Sequence, residues 1–210
     1  MAEIIKFPLQ AAAKLGYKRV RKRCQAADNP DQLHLFPTPT AQVLQFESGL
    51  GKFEQALLLD ERGDSKAGEM YAKAIAEQDC IADAYCNLGI IESKSGNSSK
   101  AFDCFTISLK HDPRHSEAHY NLGNLYFDAN DFRLAQLHYE LAREIDPDFP
   151  NVYFNLALVQ GINNDFDAAL KALKQYQALV PDAEGRLADE LLQNLKKAMA
   201  AAGSTRRGSS

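Results

Sequence analysis

The 210-residue sequence has no tryptophan and no apolar run approaching the roughly 20 residues that span a bilayer. Its 12 glycines and 8 prolines are too few for a fibrous or low-complexity chain. The first residues lack the basic-then-apolar order of a secretory signal, and the four cysteines form no CxxC pair. These absences argue against a transmembrane segment and against a secreted disulfide scaffold. We expect a cytoplasmic protein with reduced cysteines.

Charge is unevenly distributed along the chain. Residues 1–30 carry seven basic and two acidic side chains, a net charge of +5, whereas residues 48–201 carry 15 basic and 24 acidic ones, a net charge of −9. Such a split is typical of an arm that folds back on the acidic body or has its own partner, including nucleic acid. If the arm binds nucleic acid, the phosphate contacts would come from Lys18, Arg19, Arg21, Lys22 and Arg23.

The body of the sequence is periodic. Leu88, Leu122 and Leu156 stand at equal intervals, and each follows an asparagine. At a fixed distance after each leucine stands an alanine, four positions further on a large apolar residue, and later a proline. Within one period, apolar residues three or four apart, then a polar turn, then a second such stretch predict two helices. The prolines are Pro113, Pro147 and Pro181.

This pattern resembles the tetratricopeptide repeat family, whose signature has the same period of about 34 residues with leucine–glycine, alanine, aromatic and proline positions. The resemblance implies an all-α fold, a right-handed α-solenoid of antiparallel helix pairs that ends in a C-terminal capping helix. A first repeat matches only in its second half, because Glu54 and Gln55 replace leucine–glycine. The predicted organisation is a basic arm (1–30), a linker (31–47), a degenerate repeat (48–81), three full repeats (82–115, 116–149 and 150–183), a capping helix (184–202) and a flexible tail (203–210).

In this family the first helix of each pair lines the concave face, so the resemblance places an asparagine ladder in the groove. An amide has both a donor and an acceptor, and can therefore hold the main chain of an extended peptide. The same asparagines could instead bond neighbouring helices, and the groove aromatics could pack against an N-terminal segment. A tail carboxylate would find no cation deep in the groove. The predicted groove residues are Asn87, Ile90, Tyr120, Asn121, Asn124, Phe127, Phe154, Asn155 and Leu158.

The linker contains a short candidate motif. Its sequence resembles the peptide by which bacterial polymerases and repair proteins hold the replication sliding clamp, and prolines on both sides favour accessibility. The alternative is packing of its apolar residues on the first repeat or in the chain's own groove. The motif residues are Gln32, Leu33, Leu35 and Phe36.

Catalytic signals are weak. His115 and His119 are four residues apart, but Pro113 interrupts the helix between them and His111, so the three histidines do not share one helical face. No phosphate-binding glycine loop, nucleophile elbow or HExxH motif occurs. We predict a non-catalytic scaffold or adaptor without a cofactor or metal, which binds a protein or peptide in its groove. The alternatives are a nucleic-acid-associated accessory factor and a self-associating repeat protein.

Overall fold

The computed structural model describes residues 13–21 and 50–207, and all structural statements below concern these residues. The chain forms two compact parts, which we describe separately. Of the described residues, 19–21 and 50–113 form the N lobe, and 13–18 and 114–207 form the C lobe. All the regular secondary structure in the described ranges is helical, which confirms the predicted all-α, tetratricopeptide-like fold.

The N lobe contains two helix pairs. The first pair packs α1 against α2, the second packs α3 against α4, and α2 also contacts α3. The degenerate first repeat therefore forms a helix pair although it lacks the leucine–glycine signature. The helices are α1 (Lys52–Glu61), α2 (Ala67–Ala76), α3 (Ile81–Lys94) and α4 (Ser98–His111).

The C lobe contains two further pairs and a terminal helix. Helix α5 packs on α6, α7 packs on α8, α6 contacts α7, and α9 covers α8. Pro150 is the first residue of α7, where its fixed φ suits a helical turn and its missing N–H leaves no bond unmade. The helices are α5 (Ser116–Asp128), α6 (Phe132–Ile145), α7 (Pro150–Ile162), α8 (Phe166–Leu179) and α9 (Asp182–Arg207).

The turns inside the pairs repeat with the same period as the helices. Gly96, Asn130 and Asn164 occupy the equivalent position of three successive repeats and have φ values of +81°, +60° and +62°. This left-handed conformation favours glycine and asparagine, and it reverses the chain after the first helix. Asp131 and Asp165 then cap the second helix, each by accepting a hydrogen bond from a first-turn amide. The left-handed residue in the turn and the aspartate cap thus determine where the chain reverses between the two helices of a pair.

A glycine permits close contact at the centre of two pairs. A Cβ on Gly89 would lie 2.7 Å from the nearest ring carbon of Phe105, and one on Gly123 would lie 2.7 Å from the ring of Tyr139. Both rings are fully buried. Because atoms cannot approach so closely without a shift, only glycine lets the aromatic ring of the second helix lie on the first helix.

Helix α9 differs from the predicted capping helix in two respects. It runs to Arg207 rather than to residue 202, and so includes part of the predicted tail. The spacing of four residues between Leu187, Leu191 and Leu195 predicts one buried face, but 58% of the Leu187 surface is exposed. Successive steps of four residues rotate about 40° beyond a full turn, so a stripe spaced four apart drifts off the contact face. The buried face alternates steps of three and four: Ala188, Leu191, Leu195 and Ala198.

The expectation that all cysteines are reduced is wrong for this structure. Cys80 is disulfide-bonded, whereas Cys86 and Cys104 are buried and are not part of a disulfide. The fourth cysteine, Cys24, lies outside the described residues. The absence of a CxxC pair does not exclude a disulfide, because folding can bring together cysteines from distant positions. Burial raises the pKa of the Cys104 thiol to about 11, so this thiol remains protonated near neutral pH.

Candidate peptide-binding groove

Residues 13–18 lie as non-helical chain beside α5 and α7 of the C lobe, and residues 19–21 lie beside α1 and α3 of the N lobe; these nine residues are called the docked segment. In the C lobe, the main-chain N–H of Leu15 donates to Asn155 Oδ1 at 2.8 Å, and Asn155 Nδ2 donates back to Leu15 O at 3.1 Å. Asn121 forms the same reciprocal pair with Lys18, at 2.7 and 2.8 Å. Each amide therefore holds the N–H and the C=O of one residue.

The N lobe repeats this arrangement once. The N–H of Val20 donates to Asn87 Oδ1 at 2.8 Å, and Asn87 Nδ2 donates to Val20 O at 3.0 Å. The side chain of Val20 is 4% exposed. Asn87, Asn121 and Asn155 are themselves fully buried. Equivalent asparagines of three repeats thus make equivalent main-chain contacts.

Tyr120 adds a fixed donor in the C lobe. Its hydroxyl lies 3.0 Å from both Leu15 O and Gly16 O, to which it donates, and Asn155 Nδ2 donates to the hydroxyl at 3.1 Å. Burial raises the pKa of Tyr120 well above its usual range, so the hydroxyl remains a donor at physiological pH. The ring packs on Phe149 with a centroid separation of 4.8 Å. Packing of the ring and the hydrogen bond from Asn155 together hold the hydroxyl beside the docked segment.

Acidic side chains accompany the asparagines. In the C lobe, Asp128 accepts a hydrogen bond from the Tyr17 hydroxyl at 3.2 Å and forms an ion pair with Lys14 Nζ at 3.3 Å. In the N lobe, Asp60 pairs with Arg19 at 2.6 Å. The described surface beside the docked segment is thus suited to basic side chains.

The other predicted groove residues have different roles. Asn124 accepts hydrogen bonds from the Tyr139 hydroxyl and from Asn155, at 2.7 and 2.8 Å, so it supports the ladder from behind. Phe127 is half-buried and packs edge-on against Phe132. Leu15 packs on the apolar cluster that contains Phe154 and Leu158, while Ile90 is buried in α3.

Only some of the residues predicted to contact phosphate, and none of the linker motif, lie within the described ranges. Lys18 Nζ lies 5.7 Å from the centroid of the Phe149 ring, and Arg21 forms an exposed, 3.7 Å ion pair with Glu61. The guanidinium of Arg19 pairs with the carboxylate of Asp60, as described above. Lys22 and Arg23 lie outside the described residues, as do all four motif residues, Gln32, Leu33, Leu35 and Phe36.

One polar cluster was missed by the sequence analysis. His119 of α5 and His138 of α6 approach to 3.1 Å between their Nδ1 atoms, and Tyr126 stacks on His138 at 5.4 Å. Burial, and then the charge of His119, lowers the pKa of His138 to about 4. Only the helical phase of two neighbouring helices would have revealed this pair, because the histidines are far apart in sequence. Among the described residues, no three potential ligands are grouped to hold a metal ion.

Comparisons with known proteins agree with this helical-repeat architecture. Residues 116–149, the repeat formed by α5 and α6, match the tetratricopeptide repeat family. Tetratricopeptide repeat protein 8 of Mus musculus is 28% identical over 112 residues, which are 53% of this chain and 22% of that protein. Human tetratricopeptide repeat protein 6 is 25% identical over 108 residues, 51% of this chain and 21% of that protein. The chain therefore matches about a fifth of the length of these relatives.

Solved structures show the same fold. The first repeat domain of Spaghetti (RPAP3), bound to the HSP90 peptide SRMEEVD, has a TM-score of 0.53 and 22% identity, covering 57% of this chain and 96% of that one. MamA also has a TM-score of 0.53, with 21% identity over 72% of this chain and 96% of its own. No helix in the described ranges is long and apolar enough to cross a membrane.

The repeat period and the described helix pairs define an all-α helical-repeat protein. Residues 116–149 match a tetratricopeptide repeat, and the chain is similar to proteins that contain such repeats.

Proposed function

We propose that the chain is an interaction module that binds a basic peptide of a partner protein: the C lobe at the positions taken by its own residues 13–18, and the N lobe at those taken by its residues 19–21. The carrying observation is the set of reciprocal hydrogen bonds from Asn87, Asn121 and Asn155 to main-chain groups. These contacts do not depend on the side chains of the bound chain. A foreign segment can therefore make them in the same register, and the docked segment then acts as an internal competitor.

Charge supports a basic ligand. Asp128 and Asp60 contact Lys14 and Arg19 of the docked segment. The peptide in the Spaghetti complex, SRMEEVD, is instead rich in acidic residues. Like charges placed next to each other in a groove cost affinity, so such a peptide is disfavoured at these two positions. We therefore propose a different ligand class from that neighbour's.

Binding in trans requires that the docked segment be released within the intact protein. Leu15→Pro and Lys18→Pro each remove an N–H that donates to a ladder asparagine, while the segment remains attached. The full-length double variant should bind a fluorescent peptide of native sequence 13–21, measured by anisotropy. Adding Asn121→Ala removes two hydrogen bonds of about 1 kcal/mol each, so we expect about 30-fold weaker binding.

Ser108→Ala is the matched control, since this side chain is equally buried but bonds Ala82 O and contacts neither the segment nor a ladder asparagine. We expect it to change the peptide affinity by less than about threefold. Helical circular dichroism would establish that all variants fold. Absence of peptide binding by the released protein, or equal affinity with and without Asn121, would contradict the proposal.

Self-association is a second candidate, favoured by the same occupied ladder. If the docked segment of one molecule binds the groove of another, light scattering should show a concentration-dependent dimer that the double proline variant abolishes. A monomer at all concentrations would eliminate this candidate. Nucleic-acid binding stays a prediction from the basic run. It requires the guanidinium of Arg19 to leave Asp60, and salt-dependent DNA or RNA binding by the full-length protein would test it.

A further inference from the structure

The guanidinium of Arg19 contacts Asp60 through two of its nitrogens. Its Nη2 donates to Asp60 Oδ1 at 2.6 Å, and the same nitrogen lies 3.4 Å from the Asp60 main-chain oxygen. Its Nε lies 2.6 Å from Asp60 Oδ2 as a close ionic contact. Only 20% of the Arg19 side chain and 11% of the Asp60 side chain are exposed. Both carboxylate oxygens are therefore occupied in a largely water-excluded position, where an ion pair is screened less than on the surface.

Tyr71 joins this ion pair to the ladder. Its hydroxyl donates to Asp60 Oδ2 at 3.3 Å and accepts a hydrogen bond from Asn87 Nδ2 at 3.1 Å. Burial, and then the charge of Asp60, raises the pKa of Tyr71 well above its usual range, so the hydroxyl keeps its proton. The donated proton helps to fix the carboxylate that faces the guanidinium. One chain of hydrogen bonds thus connects the Arg19 side chain with the main chain of Val20.

The docked segment contains three other cations, of which Lys14 and Arg21 form ion pairs in plainer surroundings. Lys14 contacts a single oxygen of Asp128, a carboxylate that is 52% exposed. Arg21 lies 3.7 Å from Glu61, and their side chains are 74% and 42% exposed. Exposed pairs of this kind contribute little and accept either cation. The Arg19 position differs because a planar guanidinium offers two nitrogens to two oxygens, whereas an ammonium offers one point charge.

We propose that Asp60, Tyr71 and Asn87 form an arginine-specific recognition site in the N lobe. The site takes an arginine that is followed by a residue with a small apolar side chain, as in Arg19–Val20. This inference rests on the proposed function and specifies its ligand: a partner peptide that contains an Arg–Val-like pair. A lysine in the arginine position is discriminated against, although its charge is the same.

The first test follows the segment inside the intact protein. Because the Val20 amide bonds to Asn87, its hydrogen exchange, measured by NMR, reports release of the segment. Arg19→Lys should accelerate this exchange at least about tenfold, whereas Arg21→Lys, the matched control, should change it less than about twofold. Equal effects of the two substitutions would overturn the arginine site.

The second test uses peptides added in trans. Peptides 13–21 of native, R19K and R21K sequence would be titrated into the full-length Leu15→Pro, Lys18→Pro protein that also carries Arg19→Ala and Val20→Pro, which remove the contacts of its own segment with Asp60 and Asn87. We expect the R19K peptide to bind about tenfold more weakly than the other two, and Asp60→Asn to abolish that difference. If all three peptides bind equally, the arginine site is wrong and the interaction function stands. If none binds, the interaction function is wrong, and the exchange experiment still decides whether the site discriminates arginine within the chain.

Discussion

Gly123→Ala tests the steric logic of the helix pairs directly. The new methyl carbon would lie 2.7 Å from Cδ1 and Cε1 of Tyr139 and 3.3 Å from the carbonyl oxygen of Ala135. The ring cannot move away freely, because it is fully buried and its hydroxyl is bonded to Asn124 at 2.7 Å. Alanine gains about 1 kcal/mol of helix propensity over glycine, but overpacking of this kind costs typically about 1–3 kcal/mol and more against backbone. We expect a net loss of about 1–2 kcal/mol in the free energy of unfolding.

Gly68→Ala in α2 is the control, since its methyl carbon would meet Leu88 at 3.8 Å, an ordinary van der Waals contact. This variant should gain about 0.5–1 kcal/mol, so the two alanine variants should differ by about 2 kcal/mol. Urea denaturation followed by helical circular dichroism would measure both, with equal slopes required for comparison. If Gly123→Ala is as stable as the wild type while Gly68→Ala is stabilised, the close packing inferred here is wrong.

Three further substitutions test other contacts. His138→Gln tests the histidine pair: the unfolded imidazole takes up a proton as the pH falls from 6.5 to 4 while the folded one, with its pKa near 4, stays neutral, so wild-type stability should fall across this window. In urea titrations at pH 7 and 4.5, the unfolding free energy of the wild type should fall by about 2 kcal/mol more than that of the variant, after allowance for partial exposure. Identical pH slopes of the two proteins would refute the assignment. Ser108→Ala removes a 2.8 Å hydrogen bond to Ala82 O and should lower the unfolding free energy by about 1 kcal/mol, a loss that Ser108→Thr should partly restore. Asp131→Ala removes the cap of α6 and should cost about 1 kcal/mol, most of it recovered by Asp131→Ser; thermal melts that fail to separate the two variants would speak against the cap.

The sequence predicted the helix pairs well because their determinants are local and periodic. A small residue at Gly89 and Gly123, a left-handed residue in each turn and a proline before the next helix all act within one repeat. The asparagines could also be identified from their period. Their contacts with residues of the docked segment could not, because those bonds join positions that are remote from each other in sequence.

The remaining differences have the same physical origin. The basic run was recognisable as charge, but which carboxylate faces which cation depends on how the main chain is held. Asp60 could not be identified as a site residue from the sequence, because it stands in the degenerate repeat and matches no signature position. The exposed face of Leu187 and the disulfide of Cys80 likewise depend on rotation and distance rather than on spacing.

The hydrogen bonds within the C lobe also define a measure of length. Asn155 holds Leu15 and Asn121 holds Lys18, so one step from repeat to repeat corresponds to three residues of bound chain, taken in the opposite direction. An extended chain covers about 10 Å in three residues. Duplication of such a repeat during evolution would therefore lengthen the stretch of chain that the groove binds by three residues at a time, and deletion would shorten it by the same number.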